Sequence, residues 1–449
     1  MAKTLLTPLT IIAVSISASL AGFAPVTYAS EDDRIKQLEQ RIDALEADLI
    51  EAKDAAKKVD RVKFSSKTPA PEFVSKDGRS TMNFKGRIQT DYVHADDMYT
   101  GKKRELEEGF SDTSIRRLRF GVEGYFARDW EYEIEFDFAD NEVDLKDANV
   151  TYKGWDDSQL VIGFQKYAFG MESTQSSSRL VMLERSVVDR FAPDRAVGLQ
   201  YRYVSDNFAA HLGYGVDFGV DDSDEDDVTN PKLSVVNARI TGTPIASDGH
   251  LLHLGASLLY SHHNDDALET RYRARPSSRP TGRIIDTGKF DAESTMHYGL
   301  EAAYQYRGLR LQTEYVKASA DQVEDPSIDV DAYYLMASYV LTGEKWGYKN
   351  KKGTFKAIRP NKPLSEGGLG AWEIALRMDQ ANFSDASADI DGGEMTDYVL
   401  GLNWYMEDNL KLQLNYVYAE AEYDNPQSNM DDATEQDTNI IQARLQFAF

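Results

Sequence analysis

The feature that most constrains this chain is an alternation of apolar and polar residues with period two, repeated about sixteen times from Met82 onward. Across 130–139, Trp130, Tyr132, Ile134, Phe136 and Phe138 face one way while Glu131, Glu133, Glu135 and Asp137 face the other, the pattern of a strand with two unlike faces. One such strand fits a soluble sandwich as well as a membrane wall. Repetition decides between them, because segments of about ten residues follow one another without the helices of an α/β fold. Their centres fall near Ile88, Phe120, Ile134, Asn149, Ile162, Leu199, Leu212, Ala238, Leu254, Ala302, Gln312, Leu335, Ile374, Leu402, Leu414 and Leu445. Short turns at 127–129, 154–157, 205–207, 307–308 and 407–409 alternate with long, mostly acidic loops such as 217–227 and 423–436, as in barrels with periplasmic turns and outer loops. The expected fold class is all-β: a 16-stranded antiparallel transmembrane β-barrel over 82–449.

Composition agrees with this reading. The net charge of −25 and mean hydropathy of −0.51 predict no lipid-spanning helix. They leave a barrel open, since its strands carry lipid-facing residues only at alternate positions. The chain has no cysteine, so an exported fold must rely on strand hydrogen bonding and packing. Residues 1–29, with Lys3, an apolar run over 11–20 and small residues at Thr27 and Ala29, read as a secretory signal peptide; an uncleaved inner-membrane anchor is the alternative. Over 30–63, Ile35, Leu38, Ile42, Leu45, Leu49, Ala52, Ala56 and Val59 recur at heptad positions, predicting a short N-terminal periplasmic coiled coil, with a solvated single helix as the competing reading. Ile at a with Leu at d leans toward two strands. Residues 64–81, with Pro69, Pro71 and Gly78, read as a linker.

Parity assigns the lumen. A charge at the lipid-facing midplane costs roughly 2–4 kcal/mol, so Lys85, Arg87, Arg117, Arg119, Arg202, Arg239, Arg310, Arg377, Lys411 and Arg444 are expected inside, with Glu123, Glu301, Glu314, Glu373 and the carboxylates of 130–139. The lumen is therefore mixed in sign. The stretch 166–195, KYAFGMESTQSSSRLVMLERSVVDRFAPDR, breaks the strand series. It reads as a constriction loop whose Ser173, Ser176, Ser177 and Ser178 and cations Lys166, Arg179, Arg185, Arg190 and Arg195 would hold an anion through charge-assisted hydrogen bonds.

RRLRFGVEG at 116–124, GFQKYAFGMESTQSSSRLVMLERS at 163–186, FAPDRAVGLQY at 191–201, LTGEKWGYK at 341–349 and GAWEIALR at 370–377 together resemble the phosphate-selective porins O and P of bacterial outer membranes. The resemblance implies a trimeric barrel for passive diffusion of small inorganic anions, phosphate or related oxyanions. It puts Ser177, Ser178 and Arg185 at anion-binding loop positions and the run from Arg116 to Arg119 near the narrowest part. It also implies that the basic segment 342–370 folds into the lumen; a solvated periplasmic loop is the other reading. The acidic lumen face of 130–139 departs from this picture and leaves open a general or cation-leaning porin, or a tether between outer membrane and cell wall through the coil. An aromatic residue, Phe449, closing the apolar row Ile441, Ala443, Leu445 and Phe447 is similar to the assembly signal of such barrels.

Other chemistry is weaker. No catalytic motif occurs, so no enzyme and no cofactor are expected. His262 and His263 with Asp265 and Asp266, and the acidic run 221–227, lack the spacing of a metal cage. They read as outer loops, bridged to lipopolysaccharide by divalent ions. So acidic a surface excludes nucleic acid. The 25 tyrosines read as interface girdles against outer-membrane lipid rather than a sugar track.

Overall fold

The computed structural model describes residues 31–56, 60–65, 68–193, 195–217, 233–263, 268–323 and 325–449. The expected signal peptide, Val59, the acidic run 221–227 and Asp265 and Asp266 lie outside the described residues. Two compact units are present, Met1–Val59 and Asp60–Phe449. In the first, helix α1 (Glu31–Ala56) leaves Ile35, Leu38, Ile42, Leu45 and Leu49 exposed along the heptad stripe.

The second unit is a closed antiparallel barrel of sixteen strands: β1 (Thr81–Ala95), β2 (Phe110–Phe126), β3 (Trp130–Asp137), β4 (Asp144–Trp155), β5 (Ser158–Lys166), β6 (Arg195–Val204), β7 (Phe208–Asp217), β8 (Leu233–Ser247), β9 (His250–His263), β10 (Phe290–Tyr306), β11 (Leu309–Gln322), β12 (Ile328–Val340), β13 (Ala371–Asn382), β14 (Glu394–Tyr405), β15 (Leu410–Gln427) and β16 (Ala433–Ala448). Each expected centre falls in its own strand. β16 pairs with β1 from Ile440↔Ala95 to Ala448↔Arg87, which closes the ring and leaves the wall without an edge.

The wall is inverted relative to a soluble protein. Leu212, Leu300 and Leu376 are about 60 % exposed on the outer face (58 %, 62 % and 60 %), whereas Gln89, Arg239 and Arg444 are 0–1 % exposed within. Lipid covers the outer row in a membrane, so the apolar side belongs outside.

Residues 64–81 do not form a plain linker. Strands Arg61–Ser65 and Thr68–Val74 make a hairpin, and Phe73 and Val74 continue the ladder onto Met82 and Thr81 of β1. Pro69 and Pro71 fall where the hairpin register shifts, between Lys63↔Glu72 and Ser65↔Thr68, so their missing N–H groups break no ladder bond. Arg61 to Lys63, expected at the end of the coil, belong to this hairpin as well.

Candidate functional site

The connection 167–193 between β5 and β6 is bonded to side chains from strands around most of the ring. Tyr167 opens it. Its ring occupies a slot cleared by Gly198, Gly213 and Gly215, where an added Cβ would stand 2.5, 2.6 and 2.3 Å from ring or hydroxyl atoms, and its hydroxyl donates to Tyr214 O at 3.0 Å. Gly170 N then donates to Ser257 of β9, and the amides of Met171 and Glu172 donate to the Glu314 carboxylate of β11 at 2.8 and 2.7 Å. Farther along, Asn403 of β14 and Gln413 of β15 donate to Val181 O. Lys411 donates to Leu180 O, Gln446 of β16 to Ser178 O and Gln89 of β1 to Ser177 O. Irregular backbone away from bulk water needs partners for its carbonyls and amides. The polar parity positions of the wall supply them.

Glu184 of the loop meets three arginines. Arg116 grips it through Nε and Nη2, both at 2.9 Å, Arg444 reaches it at 2.7 Å and Arg117 at 3.8 Å. Burial alone would raise its pKa, but Arg116, Arg444 and Arg117 hold it well below the usual carboxylate range. Strict alternation would put neighbours Arg116 and Arg117 on opposite faces. The ladder steps from Gln89↔Arg117 to Thr90↔Ile115, so Arg116 is the extra residue of a bulge, which turns both side chains toward Glu184.

The expected anion-binding residues are distributed unevenly. Arg185 donates to the loop's own carbonyls, Glu172 O at 2.9 Å and Gln175 O at 2.7 Å, and lies 3.6 Å from Asp189. Lys166 also approaches Asp189, at 3.8 Å. Ser177 accepts from Arg87 at 2.5 Å, and Ser178 bonds Ser176. Arg117 donates to Gln89, and Arg119 bonds Asp137 at 2.8 Å and Glu135 at 3.3 Å. Arg179 has no ion pair or side-chain hydrogen bond among the described residues.

The acidic face of β3 is neutralised locally. Glu133 meets Lys85, Glu135 meets Lys85, Arg87 and Arg119, Asp137 meets Arg119, and Glu131 meets Lys153 at 2.5 Å. On β4, Asp147 meets Arg195.

Two further segments meet the first. Turn 341–370, on the short-turn side, stacks Trp346 and Phe355 against the Arg310 guanidinium at 4.6 and 4.8 Å, and Phe355 O accepts from Gln175 of the loop. Near Arg179 it brings Lys349 and Lys352, with Lys351 beside Lys153; none of the three lysines has an ion pair among the described residues. Burial, then Arg179 and Lys352, lower the Lys349 pKa to about 8; burial, then Lys153, bring Lys351 to about 8.

On the long-loop side, the connection between β9 and β10 carries Arg271, Arg273, Arg275, Arg279 and Arg283. Its Ser277 donates from N and Oγ to Asp397 of β14 at 2.7 and 2.8 Å, and its carbonyl accepts from Gln442 of β16. Burial, then Arg190, Arg283 and Arg279, bring the Arg275 pKa down to about 9. These arginines were absent from the expected site, although five in one outer connection are a readable contrast with its acidic neighbours.

A closed sixteen-stranded barrel, apolar outside and crossed by polar connections within, is a porin-type channel of the outer membrane. The chain belongs to the phosphate-selective porin O and P family, whose model matches residues 82–449. It is 27% identical over 415 residues to Porin O of Pseudomonas aeruginosa, across 84% of this chain and 90% of that protein. It is 29% identical over 388 residues to an uncharacterized protein of Caulobacter vibrioides, across 85% and 76%. The fold is similar to that of the anion-selective porin from Comamonas acidovorans, with a TM-score of 0.52 at 12% identity over 82% of this chain and 100% of that one. It is also similar to OmpT of Vibrio cholerae in its trimer form, with a TM-score of 0.50 at 14% identity over 82% and 99%.

Proposed function

We propose that this porin passes small anions, phosphate or related oxyanions among them, by passive diffusion through a lumen narrowed by segments 167–193, 268–289 and 341–370. The observation that carries this reading is the segregation of charge pairing. The lumen carboxylates of β3 are matched by cations, while Arg179, Lys349, Lys351 and Lys352 toward the short-turn side and Arg190 and Arg279 toward the long-loop side lack ion pairs among the described residues. Such cations replace part of an anion's hydration shell with charge-assisted hydrogen bonds, each worth about 1.5–3 kcal/mol. Arg185, Ser177, Ser178, Lys166, Arg117 and Arg119 shape and polarise the passage, and Arg179 faces the ion.

Acidic outer loops favour a cation-leaning porin, but fields decay over about 8 Å at physiological salt, so groups at the constriction dominate. The assembly is a homotrimer, with residues 1–29 removed as a signal peptide and α1 coiled with its copies in the periplasm, within reach of the cell wall. Titrating inorganic phosphate into a chloride current across a planar bilayer tests this: phosphate should block chloride saturably. A strictly proportional response up to high phosphate would sink the proposal.

A further inference from the structure

Between β1 and β2 hangs a small hairpin, Met98–Thr100 paired with Glu105–Glu107. Arg104 in its turn is 1 % exposed, has a backbone φ of 53°, and forms no ion pair among the described residues. A buried guanidinium without a carboxylate is costly, and a non-glycine residue at positive φ is strained. Both costs fall on one residue.

The geometry shows what the fork holds. Nη1 donates to Gly101 O at 2.7 Å, Nη2 donates to Gly392 O at 3.2 Å in the β13–β14 connection, and the guanidinium lies 4.0 Å from the Tyr423 ring centroid on β15. A planar cation with divergent donors meets two carbonyls and a ring face at once; a lysine ammonium does not. The hairpin so fixed then grips the arginine-bearing connection. Gly101 N donates to Arg283 O at 2.7 Å, and Gly282 N donates to the Glu107 carboxylate at 3.0 Å.

We propose that Arg104 is a positioning residue for anion selectivity: by locking this hairpin to the β13–β14 connection and to Tyr423, it sets where residues 282–283, and with them Arg275 and Arg279, meet an incoming anion. It does so without touching the ion. The inference rests on the proposed role of the long-loop-side arginines, and its test separates the two.

The full-length porin and four variants, Arg104→Ala, Arg104→Lys, Glu107→Ala and Arg279→Ala, are compared by the phosphate concentration that half-blocks chloride current, with trypsin cleavage after Arg283 of the folded barrel as a second readout. Arg104→Ala and Glu107→Ala should raise the half-blocking concentration by about threefold or more, as Arg279→Ala does, and should open the connection to trypsin. Arg104→Lys should behave like Arg104→Ala, because it keeps the charge and loses the fork. Wild-type block in Arg104→Ala beside weakened block in Arg279→Ala overturns the positioning role and leaves the functional reading standing. Full rescue by Arg104→Lys overturns it too, since charge alone would then suffice. Wild-type block in Arg279→Ala removes the role of the long-loop-side arginines and this inference with it, whereas the absence of saturable block in the unmodified porin removes the functional reading itself. If Arg104→Ala fails to assemble, Glu107→Ala decides, as it leaves Arg104 in place.

Discussion

The two groups of cations that lack ion pairs among the described residues differ in the chemistry of their charges. Toward the short turns the group is built on lysines, with Lys349 and Lys351 losing protons near pH 8 because burial and neighbouring cations crowd them. Toward the long loops it is built on arginines, and Arg275, at about 9, is still charged where those lysines are half neutral. The guanidinium keeps its proton over a wider range and offers a fixed fork, whereas the ammonium is a compact charge that titrates when desolvated. In the proposed passage, one end is thus a fixed cationic field and the other an adjustable one.

Removing the adjustable end is the strongest way to break this contrast. The triple change Lys349→Gln, Lys351→Gln and Lys352→Gln takes away three positive charges facing a dehydrating anion and leaves only neutral amide donors, so the phosphate concentration for half-block of chloride current should rise by about tenfold or more. Next in size is pH. Both amines lose charge as pH rises from 7 to 8.5, so wild-type anion-over-cation permeability should fall several-fold across that interval, while the triple variant should show a much flatter profile, measured by reversal potential at each pH. An equally steep profile in the triple variant would place the titrating groups elsewhere.

Arg185→Ala should have a smaller, different effect. Its guanidinium binds Glu172 O and Gln175 O, so its loss loosens the loop by about 1–3 kcal/mol. Noisier current and reduced yield of assembled porin should outweigh any change in ion preference. A pure loss of selectivity at normal yield would instead make Arg185 a direct ligand. Lys63→Ala is the smallest: its exposed pair with Glu72 contributes about 0–1 kcal/mol, and heat-induced unfolding on a gel should be unchanged.

The wall was legible because its signal is local and repeated: a single strand such as β3 announces its faces within eight residues. Parity likewise carried Arg239, Arg377 and Arg444 to the inner side. The contents of the lumen were less so, since an irregular segment has no period and its path depends on distant partners. Nothing near Arg185 in sequence says that its donors return to Glu172 O and Gln175 O. Arg116 was obscured by a one-residue bulge, which reverses the parity that made its neighbours readable. The hairpin at 61–74 was hidden by its prolines, read as breakers when they sit in a register shift.

The central claim, that the lumen cations of segments 167–193, 268–289 and 341–370 outweigh a net charge of −25, is tested most directly by the reversal potential of the full-length porin across a planar bilayer in a potassium chloride gradient at pH 7. The account predicts a potential displaced toward the chloride equilibrium value. A potential displaced toward the potassium value would contradict it.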